Sequence, residues 1–130
     1  MTKSIINIAD VELQPRPPQF APTGAAAQRF DARVGQIGRQ IGAKKLGYNL
    51  TAIPPGKRAF PFHNHHAVEE MFYIIEGSGE VRIGKQAFPI RPGDVIACPP
   101  GGKEHAHQLV NTGKGELKFL AVSSKEAVDV

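Results

Sequence analysis

The chain has 130 residues and a mass of 14.0 kDa, the size of one ordinary domain, and at 41% hydrophobic and 22% charged residues its composition is that of a globular protein. Fourteen Gly and eleven Pro exceed average usage without any period, which excludes collagen, disfavours a helical bundle and favours many short elements joined by turns. The net charge of +4 is dispersed, with basic doublets only at Lys44-Lys45 and Lys57-Arg58, and no Trp is present; this argues against a nucleic-acid partner and for a mildly basic rim around a pocket for an anionic small molecule.

Residues 1–28 begin with a mixed segment, SIINIADVEL, and continue into QPRPPQFAPTGAAAQ, whose four prolines resist helix and central strand alike. An extended N-terminal arm is expected there, mobile or laid across another subunit. Residues 29–43 place Phe30, Val34, Ile37 and Ile41 at helix-like spacing, but Gly35, Gly38 and Gly42 interrupt it. One short helix or irregular structure is expected.

From Leu46 onward, short runs of β-branched and aromatic residues alternate with Gly/Pro turns. Strands are expected over 46–53, 60–65, 70–77, 79–84, 86–90, 94–99, 105–111 and 116–123, with hairpin turns at 75–79 and 83–86. With no long helix between them, these strands must pair antiparallel, closed as a barrel or folded as a double sheet. The fold class is all-β.

The longest unbroken apolar run, Met71 to Ile75, is far shorter than the ~20 residues needed to span a bilayer. The first fifteen residues show no hydrophobic core region or small-residue cleavage site, so no secretory leader is expected, and Cys98 alone cannot form an internal disulfide framework. A cytoplasmic protein without membrane association is expected. Cys98 reads as a small buried core residue, and Tyr48 and Tyr73 as packing residues.

All five histidines occur in two groups, His63, His65 and His66, then His105 and His107. Residues two apart on a strand share a face, so His63 and His65 project together, as do His105 and His107, while His66 falls on the other face or in the following turn. On a strand from 70 to 75, Glu70 shares its face with Phe72 and Ile74. A carboxylate on an apolar inner face needs a cation or charged partners. Imidazoles and a carboxylate together suit a divalent transition metal, and three imidazoles with one carboxylate leave positions open for a ligand. Glu69 reads as a solvated loop residue.

These residues resemble the cupin superfamily. Its first motif is matched by His63-Asn64-His65, four residues, Glu70, six residues and Gly77, with Gly56 one residue further upstream than the pattern. Its second is matched by Gly93, five residues, Pro99-Pro100-Gly101, and by His107, three residues, Asn111, with a longer loop between Gly101 and His107. The resemblance covers about 46–122. It implies a double-stranded β-helix (jelly-roll) barrel holding one metal through His63, His65, Glu70 and His107. The longer loop leaves His105 as the alternative to His107; His107 is preferred because strand pairing fixes its direction. The chain would comprise the arm, 1–28, and a cupin domain, 29–130. The resemblance also implies a homodimer exchanging N-terminal segments, and FHNHHAVEEMFYIIEGSGEVRIG is similar to bacterial single-domain cupins of a sugar-phosphate isomerase-like group.

The expected function is that of a metalloenzyme acting on a small polar or anionic molecule, isomerase-like, with the alternatives of an iron-dependent dioxygenase of a chelating substrate or a non-catalytic binding or sensing module. His105 and Glu104 are the candidates for moving a proton, because a ligating Glu70 is a poor base. Lys57, Arg58 and Lys103 flank the ligand segments and are candidates for attracting a phosphate or carboxylate. The metal is Fe, Mn, Zn, Ni or Cu, between which imidazole and carboxylate ligands do not choose.

Overall fold

The structure, a computed structural model, describes residues 3–15, 24–60, 65 and 67–125. In chain order the strands are β1 (Gln14–Pro15), β2 (Arg33–Gln36), β3 (Leu46–Ile53), β4 (Glu70–Glu76), β5 (Gly79–Ile83), β6 (Gln86–Ile90), β7 (Val95–Cys98), β8 (His107–Val110) and β9 (Leu117–Ser124). One short helix, α1 (Ala25–Arg29), precedes β2, and single 3-10 turns occur at Ile8–Asp10, Gly38–Ile41 and Lys103–His105. Among the described residues, no helix is long and apolar enough to cross a membrane. The strand expected over 60–65 falls mostly on residues outside the described ones.

The strands form two sheets, ordered β1-β2-β3-β9-β4-β7 and β6-β5-β8, with every named pair antiparallel. The alternation read from the sequence decides which side chains meet between them. Ile53, Phe72, Ile74, Leu117 and Phe119 from the larger sheet pack with Val81, Ile90 and Leu109 from the smaller one, and all are buried. β6 lies at the edge of the smaller sheet, where Pro89, which has no N–H to donate, is tolerated.

The segment 29–43, expected as one short helix or irregular structure, instead supplies β2 and the 3-10 turn at Gly38–Ile41. Tertiary packing overrides the apolar spacing. A Cβ built on Gly35 would stand 2.4 Å from Val11 Cγ1 and 2.7 Å from the Glu12 carbonyl, so the glycine lets residues 11–15 lie directly on β2. Gln14 pairs with Val34 and Pro15 with Arg33. Val11, Ile37 and Leu50 form a second buried cluster, joined by Ile6, Leu13, Ile41, Tyr48, Ile75 and Leu120, on the outer face of the larger sheet. Ile6, Val11, Leu13, Gln14 and Pro15 thus lie against their own chain; residues 16–23 of the expected arm lie outside the described ones. Tyr48 packs as expected, whereas Tyr73 is 40% exposed on the same outer face.

Two connections fix the register on either side of the core. The turn after β4 needs Gly77, whose φ is +87° and whose Cβ would meet the Glu116 carbonyl at 2.3 Å. At the other, Asn111 is fully buried and donates from Nδ2 to the carbonyls of Ile53 (2.8 Å) and Gly115 (2.9 Å), while its Oδ1 accepts from Gly113 N–H (2.9 Å).

Candidate metal centre

Glu70 opens β4 and, with Phe72 and Ile74, faces the space between the sheets; the register sets it opposite Ser123 of β9 and Cys98 of β7. His107 opens β8 in the facing sheet and is 2% exposed. His107 Nε2 and His65 Nε2 both stand 3.0 Å from the same oxygen, Glu70 Oε1. The carboxylate is 17% exposed, so solvent supplies only part of its stabilisation.

The hydrogen bonding sharpens what this geometry asks for. His107 Nδ1 lies 3.0 Å from the His105 carbonyl, which can only accept, so Nδ1 carries the proton. In the neutral ring Nε2 is then a lone pair facing a carboxylate oxygen. Two electron-rich atoms in contact are favourable only with a proton or a metal ion between them. Two imidazole nitrogens and a carboxylate oxygen are donors of the type a divalent transition metal takes, and these contacts supply part of such a set.

The surroundings hold these donors in place. Phe60 meets the His107 ring edge-on at 5.8 Å and stacks on Phe72 at 5.8 Å, and Phe72 itself lies 5.8 Å from His107. Gln108 is buried on the opposite face of β8; it donates from Nε2 to the Phe60 carbonyl (2.9 Å) and accepts from Arg82 (3.1 Å). Gly101 N–H donates to the His65 carbonyl (2.7 Å), so the Pro99-Pro100-Gly101 loop restrains the histidine segment. Sequence reading did not single out Phe60, Phe72 or Gln108 for this role. Period-two alternation could have pointed to Phe72, on Glu70's face, but nothing local marks a glutamine whose partner lies 48 residues away.

The remaining candidates are distributed around this point. His63 and His66 lie outside the described residues. Among the described residues, no group of three His, Cys, Asp or Glu side chains forms a metal-binding group by itself; the expected set needs His63 as well. His105 does not begin the strand as expected but closes the 3-10 turn before it, because Lys103 O accepts from Ala106 N–H (3.1 Å) and ends the turn there. Its ring packs on Gly101, and its Nε2 stands 3.8 Å from Glu104 Oε1. Glu104 and Lys103 are exposed in that turn. Lys57 donates its ammonium to the Gln28 carbonyl, and Arg58 donates its backbone N–H to Arg29 O (2.8 Å), so both are tied to α1.

Cys98 is buried beside Glu70, and burial followed by the repulsion of that carboxylate pushes its thiol up from 9.0 to about 12. A raised folded value favours the folded state fully below pH 9.0, and that contribution is lost as the pH climbs towards about 12. Metal-free wild-type protein is therefore expected to lose more urea resistance than Cys98→Ala between about pH 8 and about pH 10.5, and its thiol is expected to resist iodoacetamide until unfolded. Parallel urea profiles, or alkylation as fast as in urea, would contradict a buried neutral thiol.

A family model described as a cupin domain, Cupin_2, matches residues 49–123. Over 70 residues the chain is 36% identical to the oxalate-binding protein of Thermotoga maritima, an alignment covering 54% of each; the chain spans about half the length of the curated relatives it matches. Among solved structures it is similar to a candidate sugar phosphate isomerase from Acidithiobacillus ferrooxidans, with a TM-score of 0.81, 26% identity and coverage of 98% of this chain and 78% of that one. It also resembles a cupin-superfamily sugar phosphate isomerase from Silicibacter pomeroyi, with a TM-score of 0.79, 23% identity and coverage of 96% and 78%.

Proposed function

The chain belongs to the cupin family, and we propose that it is a metal-dependent enzyme acting on a small polar or anionic molecule in the manner of an isomerase. The observation that carries this reading is the convergence of His65 Nε2 and His107 Nε2 on one oxygen of Glu70 at 3.0 Å each. His63, His65, Glu70 and His107 would hold one divalent transition metal per chain, of the Fe, Mn, Zn, Ni or Cu group. Such an ion, when bound, polarises a carbonyl or hydroxyl oxygen of the ligand.

The residues of the chain do the rest. The Nδ1–H to carbonyl bond keeps His107 in the tautomer that presents Nε2 to the site. Phe60 and Phe72 shield that ring from water on its inner side. Glu70, engaged by two imidazoles, is poorly placed to shuttle a proton. His105 Nε2, half-exposed and beside the exposed carboxylate of Glu104, is available to take and return one.

A second reading, a binding module without turnover, draws support from the similarity to an oxalate-binding protein. Incubating metal-loaded protein in deuterium oxide with aldose and ketose phosphates separates the two. An isomerase is expected to exchange the proton next to the carbonyl and interconvert the pair, as followed by NMR, with exchange lost in His107→Ala. Ligand-dependent thermal stabilisation with no exchange across the panel would overturn the enzyme reading in favour of the binder. Ligand-dependent oxygen uptake by the ferrous form would replace the isomerase with a dioxygenase.

A further inference from the structure

We propose that Lys125, together with Asn49, forms the anion-recognising wall of the pocket over Glu70, and that the ligand is a metal-chelating molecule carrying its phosphate or carboxylate several bonds away from its chelating oxygens. The inference rests on the metal-dependent reading above and names its substrate class.

Strand register places these residues. Gly47 of β3 pairs with Ser123 of β9, and Ser123 pairs with Glu70 of β4. Directly paired residues share a face, so Gly47, Ser123 and Glu70 form one row on the inner side of the larger sheet. Lys125 follows Ser123 by two and emerges on the same side. Its backbone N–H bonds to the Lys45 carbonyl at 2.9 Å, which continues the β3·β9 ladder to that point.

The side chain then lies across β3. A Cβ built on Gly47 would stand 3.4 Å from Lys125 Cε and 3.4 Å from Ser123 Oγ. The bare glycine surface receives the lysine stem and brings its ammonium end towards Glu70's row, about two strand spacings, on the order of 10 Å, from Glu70. Asn49 stands one row deeper, in line with Ala121 and Phe72. Thr51 Oγ1 donates to Asn49 Oδ1 (2.7 Å), which orients the amide and leaves Nδ2 as a donor towards the pocket.

Lys57 and Lys103, two of the three cations flanking the ligand segments, do not match this placement. Lys57 is engaged by the Gln28 carbonyl, and Lys103 sits in the exposed 3-10 turn. Among the described residues, no carboxylate is paired with Lys125. A separation of roughly 10 Å suits a hydroxy-carbonyl compound with a distal phosphate better than a compact dianion whose charges all reach the ion.

The test uses dihydroxyacetone phosphate and dihydroxyacetone, which share the chelating group and differ in the phosphate. Dissociation constants are measured by calorimetry on manganese-loaded wild type, Lys125→Gln and Lys125→Arg, with metal content assayed on the same samples. Wild type is expected to prefer the phosphate ester, Lys125→Gln to lose about tenfold for it and nothing for the neutral ketone, and Lys125→Arg to retain most of the preference. Equal affinities across the three loaded proteins overturn the Lys125 assignment and leave the metal reading standing. A wild type that holds neither manganese nor, on reloading, any of Fe, Zn, Ni or Cu takes down both. Inorganic phosphate binding equally well to metal-free and loaded protein, with the ester no tighter, also overturns the inference, because it would show an anion site independent of the pocket. Full-length protein serves throughout, and circular dichroism of each variant confirms the fold.

Discussion

Elemental analysis of His107→Ala is expected to find little or no bound metal, and wild-type protein purified without chelator is expected to carry close to one divalent ion per chain. His107 is the ligand candidate with the least freedom. Its ring is 2% exposed, wedged between Phe60 and Phe72, pinned through Nδ1 and aimed through Nε2 at Glu70. Losing it removes a donor outright, so metal affinity should fall by more than the roughly 10–100-fold typical of losing a hydrogen-bond partner of a ligand. The alanine also leaves a cavity worth about 2–4 kcal/mol, so His107→Gln, which keeps most of the volume, is run beside it. His105→Ala, acting on a half-exposed ring in the preceding turn, is expected to keep its metal. Loss of metal in His105→Ala alone would hand the ligand role to that residue. A wild type without metal even after reloading would sink the metalloenzyme and leave the binding module.

What could be read from the chain, and what could not, follows from the range of the forces involved. Strands such as 46–53 and 86–90 are legible because alternation and turn glycines are local signals, and the structure reproduces both spans. The shared inner face of Glu70, Phe72 and Ile74 is equally a matter of parity. β2 is illegible because its glycine, Gly35, is selected by the Val11 side chain and the Glu12 carbonyl lying on it, a contact between segments more than twenty residues apart. The start of β8 is misread for a related reason. His105 and His107 look equivalent by spacing until the Lys103–His105 turn takes the first of them out of the ladder. The clamp of Gln108 on Phe60 joins residues that share no sequence signal. A pattern finds the metal-binding candidates, but only the fold shows which backbone groups hold them still.

Asn111→Ala is expected to destabilise the barrel by about 2–4 kcal/mol, a larger loss than an ordinary surface substitution, without touching the proposed metal ligands. Asn111 is fully buried four residues beyond His107 and ties the end of β8 to the larger sheet through the Ile53 carbonyl, itself on a residue with no exposure. The same amide closes the 111–115 turn through Gly115 O and Gly113 N–H. Truncation leaves the Ile53 carbonyl without its side-chain donor in the core, at a cost of about 1–3 kcal/mol, while water can reach the turn and replace part of what is lost there. Asn111→Asp separates hydrogen bonding from packing. Its shape is nearly the same, but an ionised carboxylate faces two carbonyls where an amide donated, so it should be at least as unstable as the alanine. Urea unfolding of metal-free protein measures both, which keeps metal loss from mimicking the effect. An Asn111→Ala midpoint equal to wild type, with an unchanged slope, would mean that the backbone bonds of Lys57 and Gly56 to residue 111 hold this corner alone.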